Sequence, residues 1–473
     1  MERHIGKRAK WLAFLAALAL IAAACGSSDD DSATEDSEEA NPDDGATSDD
    51  EADSDDDDAG NATSAPVSDE LDATVNEMIG LVTQTGGAPS VSSQLDIIAS
   101  SDEVGLAWLL SDVLRFTQGS SLGLETMTAA QELAEVELSA NDAWGELTNH
   151  LISTDIPAPE GYLGWKRTLY STLLPEWEPL FDDNHNVDWR HVSWGGVRID
   201  DRPYNTTDEP CNCIPAADNP EVTNAEGGSW YPDEGVVFGV EINGESRAYP
   251  RNIMEIREMV NDTLGGRDIA MPYCTLCGSA QVYFTDEVPD GVKRPILRTS
   301  GLLIRSNKVM YDIETFSVFD TFLGTAVTGP LFEQGIVLPQ HTVITTTWGD
   351  WKQAHPDTTI LREDLALGRD SDLRNSRDAN GPIFPIGDVD PRLPVQEDVI
   401  GVTTESGTPI AFQVSAAIEA LEAGGEVSFE NIHLELSGGG VRALDADGND
   451  VGGHQAFWFA WSQFHPGTEL WEA

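Results

Sequence analysis

One sequence pattern occurs twice in this chain, and it constrains the fold more than any other feature. Each copy places two Trp, one His, one Pro and one Thr at the same spacings, and the second copy lies 110 residues after the first. Spacings of three and four residues put both Trp and the His on one helical face, and Pro ends the helix. The copies read Trp348-x-x-Trp351-x-x-x-His355-Pro356-x-Thr358 and Trp458-x-x-Trp461-x-x-x-His465-Pro466-x-Thr468.

A repeat of this kind indicates shared core geometry. A fainter echo relates Val237–Val240 with Ala248 to Val399–Val402 with Ala411. We therefore expect two related modules, at residues 230–365 and 366–473, the second shorter and without Cys. Runs rich in β-branched and aromatic residues predict strands in the first module, and Asn243-Gly244 is a hairpin signal. The expected strands are Val236–Ile242, Ser246–Tyr249, Ile269–Tyr273, Gln281–Phe284, Ile296–Ile304 and Val309–Tyr311.

The part before these modules has a helical pattern. Apolar residues at helical spacing begin at Leu71 and Val75, and they predict a helical domain at residues 67–160. Residues 161–229 are rich in Trp, Tyr and Pro, and we interpret them as a connecting segment. The fold class is therefore α+β, and the helical domain is a candidate surface for a protein partner.

The first 24 residues resemble a bacterial signal peptide. A basic head is followed by the apolar run Trp11–Ala24, which is too short to span a membrane. The run ends in Ala22-Ala23-Ala24-Cys25-Gly26, which resembles the lipobox of bacterial lipoproteins. The resemblance implies lipidation of Cys25 and an extracytoplasmic protein anchored to the cell membrane. An ordinary secretory cut beside an incidental Cys is the alternative.

Charge excludes several classes of partner. Residues 25–66 are mostly Asp, Glu, Ser, Ala and Gly, a composition that predicts a disordered acidic tether after the lipidated Cys. The whole chain carries a net charge of −57, and most of it remains when the tether is left out. Such a surface disfavours nucleic acid and anionic lipid, so the expected membrane contact is the lipid anchor itself.

Four Cys remain beyond the anchor, and an even number in an exported protein first indicates disulfides. Cys274-x-x-Cys277-Gly could also hold a metal or act as a redox pair. With Cys211 and Cys213 it could form a tetrathiolate zinc site, and mixed sites with a His would suit zinc or copper. The residues after Cys277 do not predict a helix, which disfavours a thioredoxin-like site.

Five further residues are secondary candidates. His355 and His465 each follow a predicted helix, where packing and capping compete with a role as metal ligand. Glu258, Asp262 and Asp312 stand in predicted turns, and each is either a turn or cap residue or part of a polar site. No phosphate loop, nucleophile elbow or His-Glu-x-x-His motif is found in the sequence.

Several short motifs together resemble one bacterial family. They include Arg247-Ala-Tyr-Pro250, Val260-Asn-Asp262, Tyr273-Cys-Thr-Leu-Cys-Gly278, Met310-Tyr-Asp312 and Phe457-Trp-Phe-Ala-Trp461. Over about residues 188–471 the chain resembles the domain of unknown function 3179 family, which implies no particular activity. The family's usual pattern has His-Glu before Val-Asn-Asp, and this chain has Arg257-Glu258 instead. That departure disfavours a site that needs an imidazole at this position.

Two functions from different classes follow from these observations. The first is an extracytoplasmic lipoprotein that handles thiol redox or a metal ion through Cys274 and Cys277, together with or without Cys211 and Cys213. The second is a non-catalytic surface scaffold or binding protein whose Cys form structural disulfides. The sequence does not decide whether the protein is an enzyme, and it identifies neither a cofactor nor a catalytic residue.

Overall fold

The computed structural model describes residues 63–84, 90–206, 211–363 and 382–472. The predicted signal peptide, Cys25 and nearly all of the tether lie outside these residues. Within the described ranges, no helix combines the length and the apolar character that crossing a bilayer requires.

The described N-terminal part contains six helices, and a short 3-10 segment (Val104–Leu106) lies between the second and the third. Ser68 caps the first helix by accepting a hydrogen bond from the Leu71 N–H at 3.3 Å. The helices are α1 (Asp69–Val82), α2 (Ser92–Ala99), α3 (Ala107–Thr117), α4 (Ser121–Ala134), α5 (Ala143–Ser153) and α6 (Tyr162–Leu173).

The predicted helical stripe forms the core of this part. Val75, Met78 and Leu109 are fully buried in a cluster of apolar residues. The same cluster continues through Trp194 into Leu302 of the β-rich part. Helices therefore occupy the N-terminal part of the described chain. Their core is continuous with the five-stranded sheet that contains the strands Val192–Trp194 and Leu297–Ile304.

The remaining described residues are β-rich, with five short helices between the strands. These helices are α7 (Arg251–Arg257), α8 (Gly329–Glu333), α9 (Trp348–Ala354), α10 (Val414–Glu422) and α11 (Trp458–Phe464). The strands up to residue 304 are β1 (Thr63–Pro66), β2 (Ala158–Glu160), β3 (Val192–Trp194), β4 (Ala217–Asp218), β5 (Val222–Asn224), β6 (Val236–Ile242), β7 (Glu245–Pro250), β8 (Met259–Leu264), β9 (Arg267–Cys274), β10 (Ser279–Ala280), β11 (Val282–Phe284) and β12 (Leu297–Ile304).

The later strands complete the sheets. They are β13 (Asn307–Asp312), β14 (Val318–Asp320), β15 (Thr325–Ala326), β16 (Gln340–His341), β17 (Ile344–Thr347), β18 (Thr359–Leu361), β19 (Asp398–Thr403), β20 (Pro409–Gln413), β21 (Val427–Phe429), β22 (Ile432–Ser437), β23 (Gly440–Leu444), β24 (His454–Phe457) and β25 (Glu469–Leu470). The α+β class is thus confirmed, and the six predicted strands all occur with small changes at their ends.

Two sheets share one strand order. The first contains the path β17-β6-β7-β18 and the second is β24-β19-β20-β25. In both paths the first two pairings are antiparallel and the last is parallel. The short helix α9 or α11 connects the two outer strands of its path. Both repeated sequence motifs therefore lie at the same place in their sheets.

The repeated Trp has the same surroundings in both sheets. A Cβ on Gly239 would overlap the Trp351 ring, and a Cβ on Gly401 would overlap the Trp461 ring. The Trp351 indole N–H donates to Thr358 Oγ1 at 2.9 Å, and that of Trp461 makes the equivalent bond at 2.8 Å. A missing side chain beneath each ring thus lets the indole lie directly on the strand.

Three sheets complete the β-rich part. Their strand orders are β16-β11-β9-β8-β4, β15-β14-β13-β12-β3 and β21-β22-β23, with β10 paired to β9 beside the first. The β6–β7 turn has positive φ at Asn243 and Gly244 (52° and 80°), as expected for a tight hairpin.

The connecting segment joins the sheets to one another. Strands β3, β4 and β5 each take the edge of a different sheet, beside β12, β8 and β18. Helix α6 also begins inside this segment, and Leu169 and Tyr170 are fully buried in the helical core. At the other end, strand β1 pairs with β2, so the last four residues of the expected tether are ordered against the helical part.

Candidate dithiol site

Cys274 and Cys277 flank a tight turn between β9 and β10. Cys274 is the last residue of β9 and pairs with Ser279 of β10. Gly278 has a φ of 61°, and a Cβ there would lie 3.0 Å from the Phe457 ring. The Phe457 N–H donates to the Cys277 carbonyl at 2.9 Å. Glycine after the second Cys is therefore required both by the turn and by the strand β24 that covers it.

Both thiols are free and buried. Their exposed fractions are 3% for Cys274 and 0% for Cys277. The Ser306 carbonyl oxygen lies 3.6 Å from Cys274 Sγ and 3.5 Å from Cys277 Sγ. Ser306 Oγ lies 3.8 Å from Cys277 Sγ. The β12–β13 turn, which is far away in sequence, thus holds both sulfur atoms against one polar residue.

A buried lysine stands beside the Cys turn. Lys308 Nζ donates to the carboxylate of Glu258 at 2.6 Å, to the Glu258 carbonyl at 2.7 Å and to the Tyr273 carbonyl at 2.9 Å. An ammonium group has three N–H donors, so all of them are used. Thr275 Oγ1 donates to the other carboxylate oxygen at 3.2 Å. This arrangement places a positive and a negative charge next to Cys274.

The two thiols differ in acidity. Burial opposes ionisation of Cys274, but the hydrogen bond with Cys277 and the charge of Lys308 outweigh it, so the net pKa of Cys274 is lowered. Burial, together with the interaction with Cys274, raises the pKa of Cys277 well above its usual value. Cys274 is therefore the more acidic of the two thiols, and the nearby charge of Lys308 lowers its pKa as a helix N-terminus does in other proteins.

A cavity of about 150 Å³ opens beside Cys274. Its polar lining comes from Glu255, Glu258, Thr275, Thr299 and Lys308, and Cys277 is not among the lining residues. The apolar lining comes from Val197, Ile214, Leu276, Leu302, Leu303, Val309 and Phe384, with the backbone of Gly195 and Gly301. A small molecule in this cavity would meet Cys274 before Cys277.

The other Cys pair is oxidised. Cys211 and Cys213 form a disulfide with a Cα–Cα distance of 5.2 Å. Asp200 lies near both sulfur atoms, but disulfide sulfurs are not thiolate ligands. Across the described residues, Cys274 and Cys277 belong to no group of three or more His, Cys, Asp or Glu that could share a metal. The tetrathiolate arrangement is therefore not formed, because Cys211 and Cys213 bond to each other.

The two repeated His lie on their Trp neighbours. The ring centroids of His355 and Trp351 are 4.0 Å apart, and those of His465 and Trp461 are 3.9 Å apart. Burial lowers the pKa of His465 to about 4 and also lowers that of His355. Neither imidazole joins the dithiol. Both pack on a Trp at a helix end, and His355 Nδ1 also lies 3.1 Å from Ser246 Oγ and 3.2 Å from the Glu241 carboxylate.

Of the three acidic secondary candidates, only Glu258 belongs to the site. Asp262 accepts hydrogen bonds from Arg247 at 2.6 Å and from the Tyr249 hydroxyl at 2.9 Å, below the β6–β7 hairpin. Asp312 accepts from the Ile296 N–H and, through its other oxygen, from the backbone N–H and the hydroxyl of Thr315. Asp312 ends β13 and holds the turn that follows it, as predicted. The predicted turn position of Asp262 is wrong, because this residue lies within β8 and binds side chains of β7.

The sequence prediction overlooked Lys308 and Ser306 as site residues. Lysine is scarce in the chain after the anchor, where most positive charge is Arg. Two lysines of this part, Lys166 and Lys308, are buried, with exposed fractions of 0% and 5%. A single Lys within a β-rich run, such as Lys308, can therefore indicate a buried charge, but nothing in the sequence connects Lys308 to the Cys pair.

No curated protein and no solved structure gives a significant match to this chain. A family model does match, and it covers residues 211–468, which include the dithiol, Lys308 and both repeated Trp motifs. The resemblance found in the sequence motifs is confirmed. The chain belongs to the family described as protein of unknown function DUF3179.

Proposed function

We propose that this protein performs thiol–disulfide exchange outside the cytoplasm through Cys274 and Cys277. The observation that carries the proposal is the pairing of two free thiols of opposite pKa shift beside Lys308 and a cavity. The Cys211–Cys213 disulfide in the same molecule is compatible with an oxidising location.

The chemistry follows from the two acidities. The Cys274 thiolate attacks one sulfur of a substrate disulfide, and the S–S bond breaks to release a thiolate that takes up a proton. Cys277 then loses its proton and attacks Cys274 Sγ, which releases the second substrate thiol. The protein dithiol gives up two electrons and becomes a disulfide, while the substrate disulfide becomes two thiols.

The donor set favours this chemistry over metal binding. Structural zinc is held by four ligands, and in the described part of the chain no His, Cys, Asp or Glu completes such a set around Cys274 and Cys277. The Lys308 ammonium, whose charge acts on both sulfurs, would also repel a bound cation. Among the metals suggested by the sequence, a two-coordinate copper(I) thiolate is the form that two Cys alone could supply.

A non-catalytic scaffold is the second candidate function. The observation in its favour is burial, because both thiols belong to an apolar cluster with Val399, Phe457 and Trp461. Buried structural Cys are inert. Reactivity of Cys274 in the folded protein therefore separates the two functions.

The test measures alkylation of each Cys by iodoacetamide, with peptide mass spectrometry to resolve the sites. We expect Cys274 to react in the folded protein, with a pH midpoint below that of an ordinary thiol, and Cys277 to react only after unfolding. Lys308→Met should slow Cys274 alkylation at neutral pH about tenfold, which corresponds to about one pKa unit. Lys293→Met is the matched control, because that lysine is 73% exposed.

Two variants test the exchange step itself. Cys277→Ser should trap a mixed disulfide at Cys274 when a disulfide reagent is added, and Cys274→Ser should trap none. Equal reactivity of both Cys only after unfolding would support the scaffold. Stoichiometric copper or zinc bound by the reduced protein, lost in both Cys variants, would support metal handling instead.

We also propose that Cys25 is lipidated and that the acidic tether holds the folded part away from the membrane. The sequence alone supports this proposal, through the basic head, the apolar run and the residues before Cys25. Labelled palmitate should enter the wild-type protein, and Cys25→Ser should abolish both labelling and membrane retention. A Cys25→Ser protein that stays in the membrane fraction would contradict the lipid anchor.

We infer further that the two Trp-containing sheets are related copies of one module. Equal strand order supports this, and so does equal register: Gly239 pairs with Ala248 and Ile344, and Gly401 pairs with Ala411 and His454. The segment that carries the dithiol, and with it the proposed function, would then be an insertion in one of the two copies of this module.

A further inference from the structure

The cavity beside Cys274 has a half-buried side and a buried side. Val197, Ile214, Leu276 and Phe384 are half-buried lining residues, whereas Leu302 and Val309 on the inner wall are buried. Cys274 lines the same space and Cys277 lies behind it. The half-buried side of the cavity therefore gives a ligand a route to the sulfur of lowered pKa.

Each charge in the cavity wall has an opposite charge within the protein: Lys308 pairs with the Glu258 carboxylate, and Glu255 pairs with Arg251, whose Nε lies 3.6 Å from Glu255 Oε1. Lys308 donates all three of its protons to protein acceptors: one to the Glu258 carboxylate, one to the Glu258 carbonyl and one to the Tyr273 carbonyl. Glu258 also accepts from Thr275, so both of its oxygens are engaged. A charged ligand would lose its water without meeting an available counter-charge, and an uncharged ligand would not.

Size limits the ligand as strictly as charge does. An engineered apolar cavity of about 150 Å³ in another protein stays dry and binds benzene. The cavity here has a similar volume and a wall of Leu, Val, Ile and Phe side chains. A peptide or a glutathione-sized molecule does not fit in such a space, but a molecule as small as benzene does.

We propose that the cavity is a substrate site for small uncharged organic disulfides. This inference rests on the proposed function and names its substrate class. A dialkyl disulfide enters beside Cys274, whose thiolate attacks one sulfur and forms a mixed disulfide. Cys277 resolves it, and two alkyl thiols leave while Cys274 and Cys277 become a disulfide, so that atoms and two electrons balance.

The experiment compares two disulfides of equal size and different charge. Bis(2-hydroxyethyl) disulfide is neutral, and cystamine has the same number of non-hydrogen atoms but two positive charges. Each rate of dithiol oxidation is divided by the rate of the same reagent with free dithiothreitol, a neutral dithiol, which removes the difference in intrinsic reactivity. The acidic protein attracts a dication, so any electrostatic steering favours cystamine and works against the expected result.

We expect the normalised rate with bis(2-hydroxyethyl) disulfide to exceed that with cystamine by at least about tenfold. The smaller diethyl disulfide should react at least as fast as bis(2-hydroxyethyl) disulfide. A tenfold ratio corresponds to a modest desolvation difference. Diethyl sulfide has a similar shape and no S–S bond, so it should slow Cys274 alkylation by occupying the cavity. That protection requires no redox step.

A variant on the half-buried side tests whether the cavity is the route. Val197→Trp should fill part of the space, abolish protection by diethyl sulfide and lower the normalised rate with the neutral disulfides. Val389→Trp is the control, because Val389 is 38% exposed and does not line the cavity. Circular dichroism and the unfolding midpoint of each variant establish that the fold is retained.

The possible failures are distinguishable. Equal or faster normalised oxidation by cystamine, or an unchanged rate in folded Val197→Trp, would overturn the substrate class and leave thiol exchange standing. A dithiol that no disulfide oxidises, neutral or charged, would overturn thiol exchange itself and the substrate class with it.

Discussion

The two sheets that carry the repeated Trp have the same core and different continuations. After β7, the first sheet continues through α7 into the β8–β9 hairpin and the Cys274 turn. After β20, the second continues through α10 into β21, β22 and β23, which contain no Cys. The two sheets therefore differ in the segment that follows β7 or β20, and the Cys turn lies in the segment that follows β7.

The second sheet nevertheless takes part in the site. Its strand β24 donates the Phe457 N–H to the Cys277 carbonyl and packs the Phe457 ring over Gly278. The first sheet therefore leads into the Cys turn, and a strand of the second sheet covers that turn.

The strongest test of the comparison removes the two repeated indoles in turn. Trp351→Ala and Trp461→Ala should each lower the free energy of unfolding by about 3–5 kcal/mol, because each leaves a cavity on a buried strand. Denaturant unfolding followed by circular dichroism measures both. Trp230→Ala is the control, since Trp230 is 41% exposed and outside the repeat.

Similar losses in the two sheets would sharpen the comparison, and a loss below about 1 kcal/mol in either one would break it. Trp461→Ala should in addition make Cys277 accessible to alkylation, because Trp461 and Cys277 share an apolar cluster. Trp351 lies in a different cluster, so Trp351→Ala should not have this effect.

A smaller effect is expected from the glycines beneath the rings. Gly239→Ala and Gly401→Ala should each cost about 1–3 kcal/mol, because the new methyl group would overlap the indole above it. Gly164→Ala is the matched control in α6, where a Cβ meets open space and helix propensity predicts a small gain. Thermal and denaturant unfolding would measure all three, and an unchanged stability in Gly401→Ala would contradict equal packing in the two sheets.

The smallest expected effect is a difference between the two sheets in how their stability depends on pH. His454 pairs with Gly401 where Ile344 pairs with Gly239, and burial lowers the pKa of His454 to about 3. A depressed folded pKa means that the stability contribution of this imidazole is fully present above about pH 6.5 and is lost as the pH falls towards about 3. Burial raises the pKa of Asp320 to about 6, which acts on stability in the opposite direction, so only the difference between variants is informative.

Between about pH 7.5 and about pH 5.5, the free energy of unfolding should fall less in His454→Gln than in the wild type. We expect the difference between the two decreases to be about 1 kcal/mol. The amide keeps a polar group near Gln340, whose Nε2 lies 2.8 Å from His454 Nδ1. His433→Gln, at a half-buried position on β22, is the control. Parallel pH profiles for wild type and His454→Gln would show that this imidazole does not make the second sheet acid-sensitive.

Local features of the fold are predictable from the sequence where residues close along the chain determine the backbone conformation. The helical stripe around Val75, the Asn243-Gly244 turn and the strand Val236–Ile242 all occur as expected. The edge strands β3, β4 and β5 were not predicted, because they are too short for a periodic pattern. Their strand character comes from the sheet edges on which they lie.

The site was predictable only in part. The sequence motif drew attention to Cys274 and Cys277, and the turn before Val260 drew attention to Glu258. Pairing between Cys residues depends on distances in the folded chain, so the bond between Cys211 and Cys213 could not be chosen over other pairings. Ser306 and Lys308 reach the sulfurs from the next hairpin, a contact that no local pattern encodes.

The sequence by itself predicts two similar helix ends, because the Trp motif occurs twice and its spacing places Trp and His on one helical face. The sequence likewise determined the acidity of the chain, the Cys spacing and the helical start. Only the tertiary structure decided that one repeat leads into a dithiol and that the other covers it. The physical reason is that a thiol's acidity depends on the charge and burial around it, and Lys308, Ser306 and Phe457 come together around this pair only when distant strands pack.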